Sequence, residues 1–144
     1  MQIGEIAKMM NLPISTIRYY DKNSLLPNLK RKENNLREFT KEDIDSLNMI
    51  HCLKSSGMKI KEIKEFMDWC KQGDSTIDKR FNMFIKQEEN IKKEIEFLER
   101  NLKLIQFKKW YYGKALKDGT VNKVKNMAIK DMPKEIQILY KDTH

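Results

Sequence analysis

Apolar residues recur every three or four positions from the start of the chain. Ile3, Ile6, Ala7 and Met10 share one helical face, so residues 3–10 predict a short amphipathic helix. Asn11-Leu12-Pro13 breaks it, and Pro13 suits the first turn of a second helix, where its missing N–H leaves no bond unmade. Ile14 and Ile17 mark the inner face of that helix over residues 14–22, and "KNSLLP" ends it. Residues 28–40 lose the helical period. Asn34-Asn35 is a turn signal, and its flanks "LKR" and "LREF" predict a small hairpin. Thr40 followed by Glu42 and Asp43 starts a third helix, carried by Ile44, Leu47, Ile50 and Leu53 to a stop at Ser55-Ser56-Gly57. A fourth, "MKIKEIKEFMDWC", is apolar at Ile60, Ile63, Phe66 and Met67, and "KQGDST" breaks it and caps the next.

From Thr76 the pattern changes scale. Ile77, Phe81, Phe84, Ile91, Ile95, Leu98, Leu102 and Ile105 recur at steps of four and three, with Glu88 filling one polar gap. This is a heptad stripe over more than three heptads, and no Gly or Pro interrupts residues 76–112. Such a helix is roughly 50 Å long, and one apolar seam on it needs a partner helix. No other segment predicts a helix of that length, so the expected partner is the same helix of a second subunit. The competing arrangement folds the helix back on its own small domain. Residues 113–144, with two Gly and one Pro, read as a broken tail with one short helix at 134–140. The domain layout expected is therefore 1–70, a linker at 71–75, a dimerisation helix at 76–112 and a C-terminal tail at 113–144.

The first two helices and their turn form a helix-turn-helix. At ~100° per residue, Ser15, Thr16 and Tyr19 fall on the outer side of the second helix. Arg18 lies at the edge, with a side chain long enough to reach solvent. Hydroxyls, a guanidinium and a phenol are groups that meet phosphates and base edges in a major groove. The bland alternative places Tyr19 and Tyr20 in the core and leaves Arg18 as a solvated charge. The charge distribution weighs against it. The chain of 144 residues carries a formal +8, and residues 14–41 hold seven Lys/Arg against three Asp/Glu. A basic segment around a helix-turn-helix is what a DNA binder needs. Lys30, Arg31, Lys32 and Arg37 on the hairpin would form a wing beside the recognition helix.

Composition excludes other classes. No apolar run approaches the ~18 residues of a membrane helix, and the N-terminus lacks the features of a signal peptide. Two cysteines, Cys52 and Cys70, make no disulfide framework, so reduced thiols in a cytoplasmic protein are expected. No His-carboxylate set, phosphate loop or paired metal ligands argue for an enzyme, and no cofactor is called for.

The runs "IGEIAKMMNLPISTIRYYDKNSLLP" and "RKENNLREFTKEDIDSLNMIHCLKSSGMKIKEIKEF" resemble the MerR family of transcriptional regulators from Ile3 to about Phe66. "TIRYYD", then "LLP", then a turn and Arg37-Glu38-Phe39 is much more specific than a bare helix-turn-helix. The resemblance implies a mainly α fold: a winged helix-turn-helix domain, then a long helix pairing as an antiparallel coiled coil in a homodimer. It implies that Arg18 and Tyr19 face DNA, that Ile17 and Tyr20 anchor the helix, and that Leu25-Leu26-Pro27 closes it. It also implies a promoter that the dimer untwists so that RNA polymerase can engage. One departure lies in the wing: the family usually has Gly-Tyr before the wing arginine, where this chain has Asn35-Leu36, and Leu36 has no hydroxyl for a phosphate.

Metal-sensing members carry cysteines near the end of the dimer helix and after it. Residues 105–144 contain no cysteine, and His144 is their only histidine, so no thiolate metal site is expected. Drug-binding members carry a large extra domain that ~30 residues cannot supply. "IHCLKSSGM", "IKEFMDWCKQGDST" and "YYGKALKDGT" are similar to the small branch that responds to aldehydes and thiol-reactive electrophiles. In that branch the reactive group is a cysteine on the helix after the wing, the position of Cys52. The alternative for Cys52 is a small buried packing residue. The alternative for the whole chain is an architectural or excisionase-like DNA binder with no inducer, which the long helix disfavours.

Overall fold

The computed structural model describes residues 1–26, 30–31 and 37–144, with Lys30, Arg31 and Arg37 as backbone only. Helices α1 (Ile3–Met10) and α2 (Ile14–Lys22) are followed by paired strands β1 (Lys30–Arg31) and β2 (Arg37–Glu38). Helices α3 (Lys41–Ser55), α4 (Ile60–Gln72), α5 (Ile77–Asp118), α6 (Asn122–Lys125) and α7 (Lys134–Thr143) complete the chain. The chain divides into two compact units, Met1–Glu88 and Glu89–His144.

The first unit is built around one core. Ile6 and Ala7 of α1, Ile17 and Tyr20 of α2, and Leu47, Ile50 and Leu53 of α3 meet Ile63, Phe66 and Met67 of α4. Leu25, Leu26 and Phe39 seal it where the chain enters and leaves the hairpin. Local signals set the helix ends. Glu5 reaches back to the Gln2 N–H at 2.9 Å to start α1, and Asn11, at φ 52°, ends it. Pro13 stands one residue before α2, at its N-cap rather than inside its first turn. Ile14 departs from its expected inward place: it is partly exposed at the open N-terminal edge of α2, beside a shallow groove bounded by Gly4, Lys8 and Asn11. The first residue of a helix has no preceding turn to press it inward, so Ile17 alone carries the inner face there.

Thr40 and Asp43 cap α3 reciprocally. The Thr40 N–H donates to Asp43 Oδ2 at 2.8 Å, and the Asp43 N–H donates to Thr40 Oγ1 at 3.2 Å. Asp43 is therefore a buried carboxylate whose Oδ2 accepts from both the N–H and the hydroxyl of Thr40. The hairpin is held to α1 by main chain: Gln2 bridges Glu38, and the Phe39 N–H donates to Met1 O at 2.8 Å.

Residues 71–75 do not separate α4 from the long helix. Gly73 turns the chain at φ +88°, ψ −154°, and a single 3-10 turn, Asp74–Thr76, leads into α5. The buried Thr76 hydroxyl donates to the α4 carbonyl of Trp69 at 2.6 Å and to Gly73 O at 2.8 Å. Arg80 Nη2 donates to Gly73 O at 3.0 Å. Gln87 Nε2 donates to Ser56 O at 2.7 Å and to Ser56 Oγ at 3.2 Å, at the end of α3. Phe84 meets Phe66 edge-on at 5.4 Å, and Met83 packs on the core. Positions 76, 80, 83, 84 and 87 share one helical face. The first three turns of α5 are thus fastened to α4 and to the end of α3, and the first unit extends to Glu88.

The rest of α5 differs from the expected 76–112 span. It runs on through Gly113 to Asp118 and ends at Gly119, at φ +71°. A glycine inside a helix costs only about 1 kcal/mol against alanine, which the strong formers around Gly113 outweigh. The segment read as a broken tail contains α6 and α7 and has its own core. Phe107 of α5 meets Met132 and Ile136, and Trp110, Tyr111, Met127, Leu139 and Tyr140 pack against them. Tyr140 stacks on His144 at 4.1 Å, and Lys103 pairs with Asp142 at 3.0 Å. The apolar stripe expected along α5 remains uncovered: Phe81, Leu98, Leu102, Ile105 and Leu116 are all more than half exposed.

Gly73→Ala should lower the stability of the chain by about 1–3 kcal/mol, because this φ/ψ pair belongs essentially to glycine. An added Cβ would meet no atom within 4 Å, so the cost is conformational and not steric. Urea unfolding of the two proteins, compared at equal m, measures it.

Candidate nucleic-acid interface

Helix α2 has two different sides. Ile17 and Tyr20 are fully or almost fully buried, with Tyr20 at 3% exposure. Ser15 and Arg18 are exposed, Thr16 is half-buried, and Tyr19 is 47% exposed. The two neighbouring tyrosines therefore have opposite fates. Their rings tilt at 49° with centroids 6.1 Å apart. Tyr20 anchors the helix while Tyr19 extends the polar face.

The end of α2 is fixed by local bonds. Asn23 Nδ2 donates to Tyr19 O at 2.7 Å, and Ser24 takes a positive φ of 59°. The Leu25 N–H then donates to Tyr20 O at 3.1 Å, which turns Leu25 and Leu26 inward. Pro27 lies outside the described residues. So do Lys32, Asn34, Asn35 and Leu36 of the wing. The strands that flank them pair antiparallel, Lys30 opposite Glu38 and Arg31 opposite Arg37. Three of the basic wing positions named from the sequence, Lys30, Arg31 and Arg37, thus occupy one two-stranded ladder.

Burial raises the Tyr20 hydroxyl above its ordinary pKa of 10.0, and the adjacent Tyr19 adds to the rise. Arg18 stands in the exposed central turn of α2. The α2 surface therefore offers a guanidinium, a phenol and hydroxyls on a helix anchored by its opposite side. Among the described residues no group of three His, Cys, Asp or Glu could hold a metal ion. No described helix is long and apolar enough to cross a membrane.

Cys52 lies on the outer side of α3 and is exposed, which removes the alternative of a buried packing residue. Its neighbour Leu53 points into the core, and its carbonyl accepts the Ser56 N–H at 3.1 Å. It therefore sits one turn before the residue that Gln87 holds. Cys70, on the last turn of α4, is also exposed, while the neighbouring Trp69 packs against the core. The clamp residues Thr76, Arg80 and Gln87 were not singled out from the sequence. Their one signal was a shared helical face that adjoins the heptad stripe at Phe84.

The family model described as MerR HTH family regulatory protein matches residues 1–69. An HTH-type transcriptional regulator of Haemophilus influenzae is 40% identical over 121 residues, 84% of this chain and 90% of that protein. The chain belongs to the MerR family. It is a DNA-binding transcriptional regulator and not an enzyme. HiNmlR, a MerR family regulator lacking the sensor domain and solved bound to promoter DNA, is 38% identical with a TM-score of 0.73. The match covers 84% of this chain and 96% of that one. A MerR family regulator from Bacillus thuringiensis is 49% identical, with a TM-score of 0.67, over 75% of this chain and 95% of the other. The regulator AdhR of Bacillus subtilis is 31% identical over 63% of this MerR chain and 65% of its own length.

A neutral phenol favoured by the fold supplies stability that is present below pH 10 and lost as pH rises through the elevated value, because the unfolded chain ionises first. Tyr20→Phe should remove that dependence. The difference in unfolding free energy between wild type and Tyr20→Phe is expected to shift against the wild type above pH 10. Denaturant titrations of both proteins on either side of pH 10 check the sign.

Proposed function

We propose that this regulator acts as a homodimer that grips a promoter with two copies of α2 and the wing, and twists the DNA between them. Ser15, Thr16, Arg18 and Tyr19 would meet the major groove and its phosphates. Lys30, Arg31 and Arg37 would meet the flanking backbone. The observation that carries the reading is the division of α2 into a buried Ile17–Tyr20 side and an exposed Arg18–Tyr19 side. The likeness to a regulator solved on promoter DNA supports it. Untwisting an overlong spacer is deformation work, and it requires each DNA-binding unit to be rigid with its dimer helix. The Thr76, Arg80 and Gln87 bonds supply that rigidity within the first unit. The twisted promoter would then be engaged by RNA polymerase, in the cytoplasm.

Arg18→Ala should weaken binding to a palindromic promoter site by about 1–3 kcal/mol, and Tyr19→Phe by less, as a phosphate contact is weaker than a base contact. Fluorescence-anisotropy titrations at fixed moderate salt measure both. Unchanged affinity in the two variants would take α2 out of the interface.

The proposed signal is a reactive aldehyde or related electrophile, received by Cys52. Cys52 is exposed, which a reactive thiol requires. An adduct there would add bulk one helical turn from Ser56, where Gln87 fastens α5 to α3. That would change the angle at which the dimer helix leaves the DNA-binding unit and so the twist on the spacer. Cys52→Ser is expected to bind the promoter as wild type does and to lose the response to aldehyde, whereas Cys70→Ser keeps it. A reporter driven by the target promoter reads all three strains. A full response in Cys52→Ser would end the thiol-switch reading.

A further inference from the structure

Ile14 stands apart from the rest of α2. It is 38% exposed and lies outside the core that holds Ile17 and Tyr20, while the other aliphatic residue of the helix, Ile17, is fully buried. Single apolar side chains are common on protein surfaces and ordinarily need no explanation. The side of α2 that carries this one is different, because Ser15, Arg18 and Tyr19 share it. Ile14 and Arg18 are four residues apart, one above the other on the same edge of the helix. We propose that Ile14 reads sequence: its side chain meets the C5-methyl of a thymine in the major groove, one helical turn from the contact made by Arg18. The inference rests on α2 being the recognition helix and adds to it a residue that selects one base pair.

Position favours the contact. Ile14 is the first residue of α2. In a helix-turn-helix the N-terminal residues of the second helix reach the base edges, while the first helix crosses the backbone. Ile14 is also open on the side that faces α1. A shallow groove of about 740 Å³ lies there, bounded by Gly4, Lys8 and Asn11. A Cβ placed on Gly4 would meet nothing within 4 Å, so α1 leaves that flank free for another molecule.

Chemistry names the group that is met. An isoleucine side chain has no donor and no acceptor, so it cannot follow the hydrogen-bonding pattern of a base pair. The base pairs display one apolar group in the major groove, the thymine methyl. Covering that methyl with Ile14 takes apolar surface of both partners out of water. Against a guanine, cytosine or adenine edge the same side chain would strip water from donors and acceptors and replace none of it. Selection therefore comes both from the group attracted and from the groups rejected.

The experiment removes the methyl from the DNA. The full-length wild-type chain selects its site from a randomised duplex library. Each thymine of that site is then replaced in turn, in both half-sites, by deoxyuridine, which differs only in lacking the C5-methyl. Fluorescence anisotropy at fixed salt gives the affinities of wild type, Ile14→Ala and Arg18→Ala. At one thymine position the replacement should weaken the wild type by about fourfold per half-site, the worth of one buried methyl, and leave Ile14→Ala unaffected. Arg18→Ala should bind both duplexes less tightly and keep the ratio between them. A selection repeated with Ile14→Ala should lose the preference for thymine at that position and keep the others. A merely misfolded Ile14→Ala would lose affinity for both duplexes by the same factor, so the ratio separates a lost contact from a damaged helix. The inference is overturned if Arg18→Ala weakens binding but no thymine position shows a wild-type loss that Ile14→Ala abolishes. Wild-type affinity in both variants would remove α2 from the interface, and the recognition reading with it.

Discussion

The buried hydroxyl of Thr76 determines what kind of molecule this is. It bonds the carbonyl of Trp69, in the last turn of α4, and that of Gly73, which follows the helix. In doing so it places the start of α5 directly against the end of α4, with Gly73 absorbing the turn. Arg80 and Gln87, on the same face, extend the attachment to the end of α3. The helix that carries the apolar stripe therefore begins inside the unit that carries α2.

Helix α5 divides its surface accordingly. Near its start one side is committed to Phe66 and the core of the first unit. Near its end another side, through Phe107, is committed to α7. The heptad stripe touches the first core only at Phe84, and most of its members are exposed. A single helix therefore contributes to two cores in its own chain while leaving a third surface for another molecule.

The hydrophobic period made the first unit legible. Ile6, Ile17, Leu47, Ile50, Leu53 and Ile63 all fall where an i, i+3, i+4 reading puts them, and all are buried. The polar side of α2 was legible for the same reason: once Ile17 is inside, Arg18 and Tyr19 cannot be. The inward place of Tyr20 needed the family pattern, since a tyrosine can stand on either side of a helix. Ile14 was misplaced because it is the first residue of α2, where no preceding turn presses it inward. The C-terminal core was missed because its aromatic face, from Phe107 to Tyr111, overlays the heptad repeat on the same helix, and a stripe read as one period hides a second. Gly113 was read as a stop, although one glycine cannot end a helix whose neighbours all favour it. The Thr76, Arg80 and Gln87 bonds were invisible to any pattern of apolar residues, being polar groups on carbonyls distant in sequence.

The wing is joined to the chain just before the first helix by main-chain contacts of Gln2 with Glu38 and Met1 with Phe39. Backbone groups are the same whatever side chains the ladder carries. The residues that would address a particular promoter can therefore be exchanged without loosening the scaffold that presents them. A lineage of such proteins could acquire new target genes by altering a few exposed side chains while inheriting its mechanics unchanged. In this architecture the address is separable from the machine.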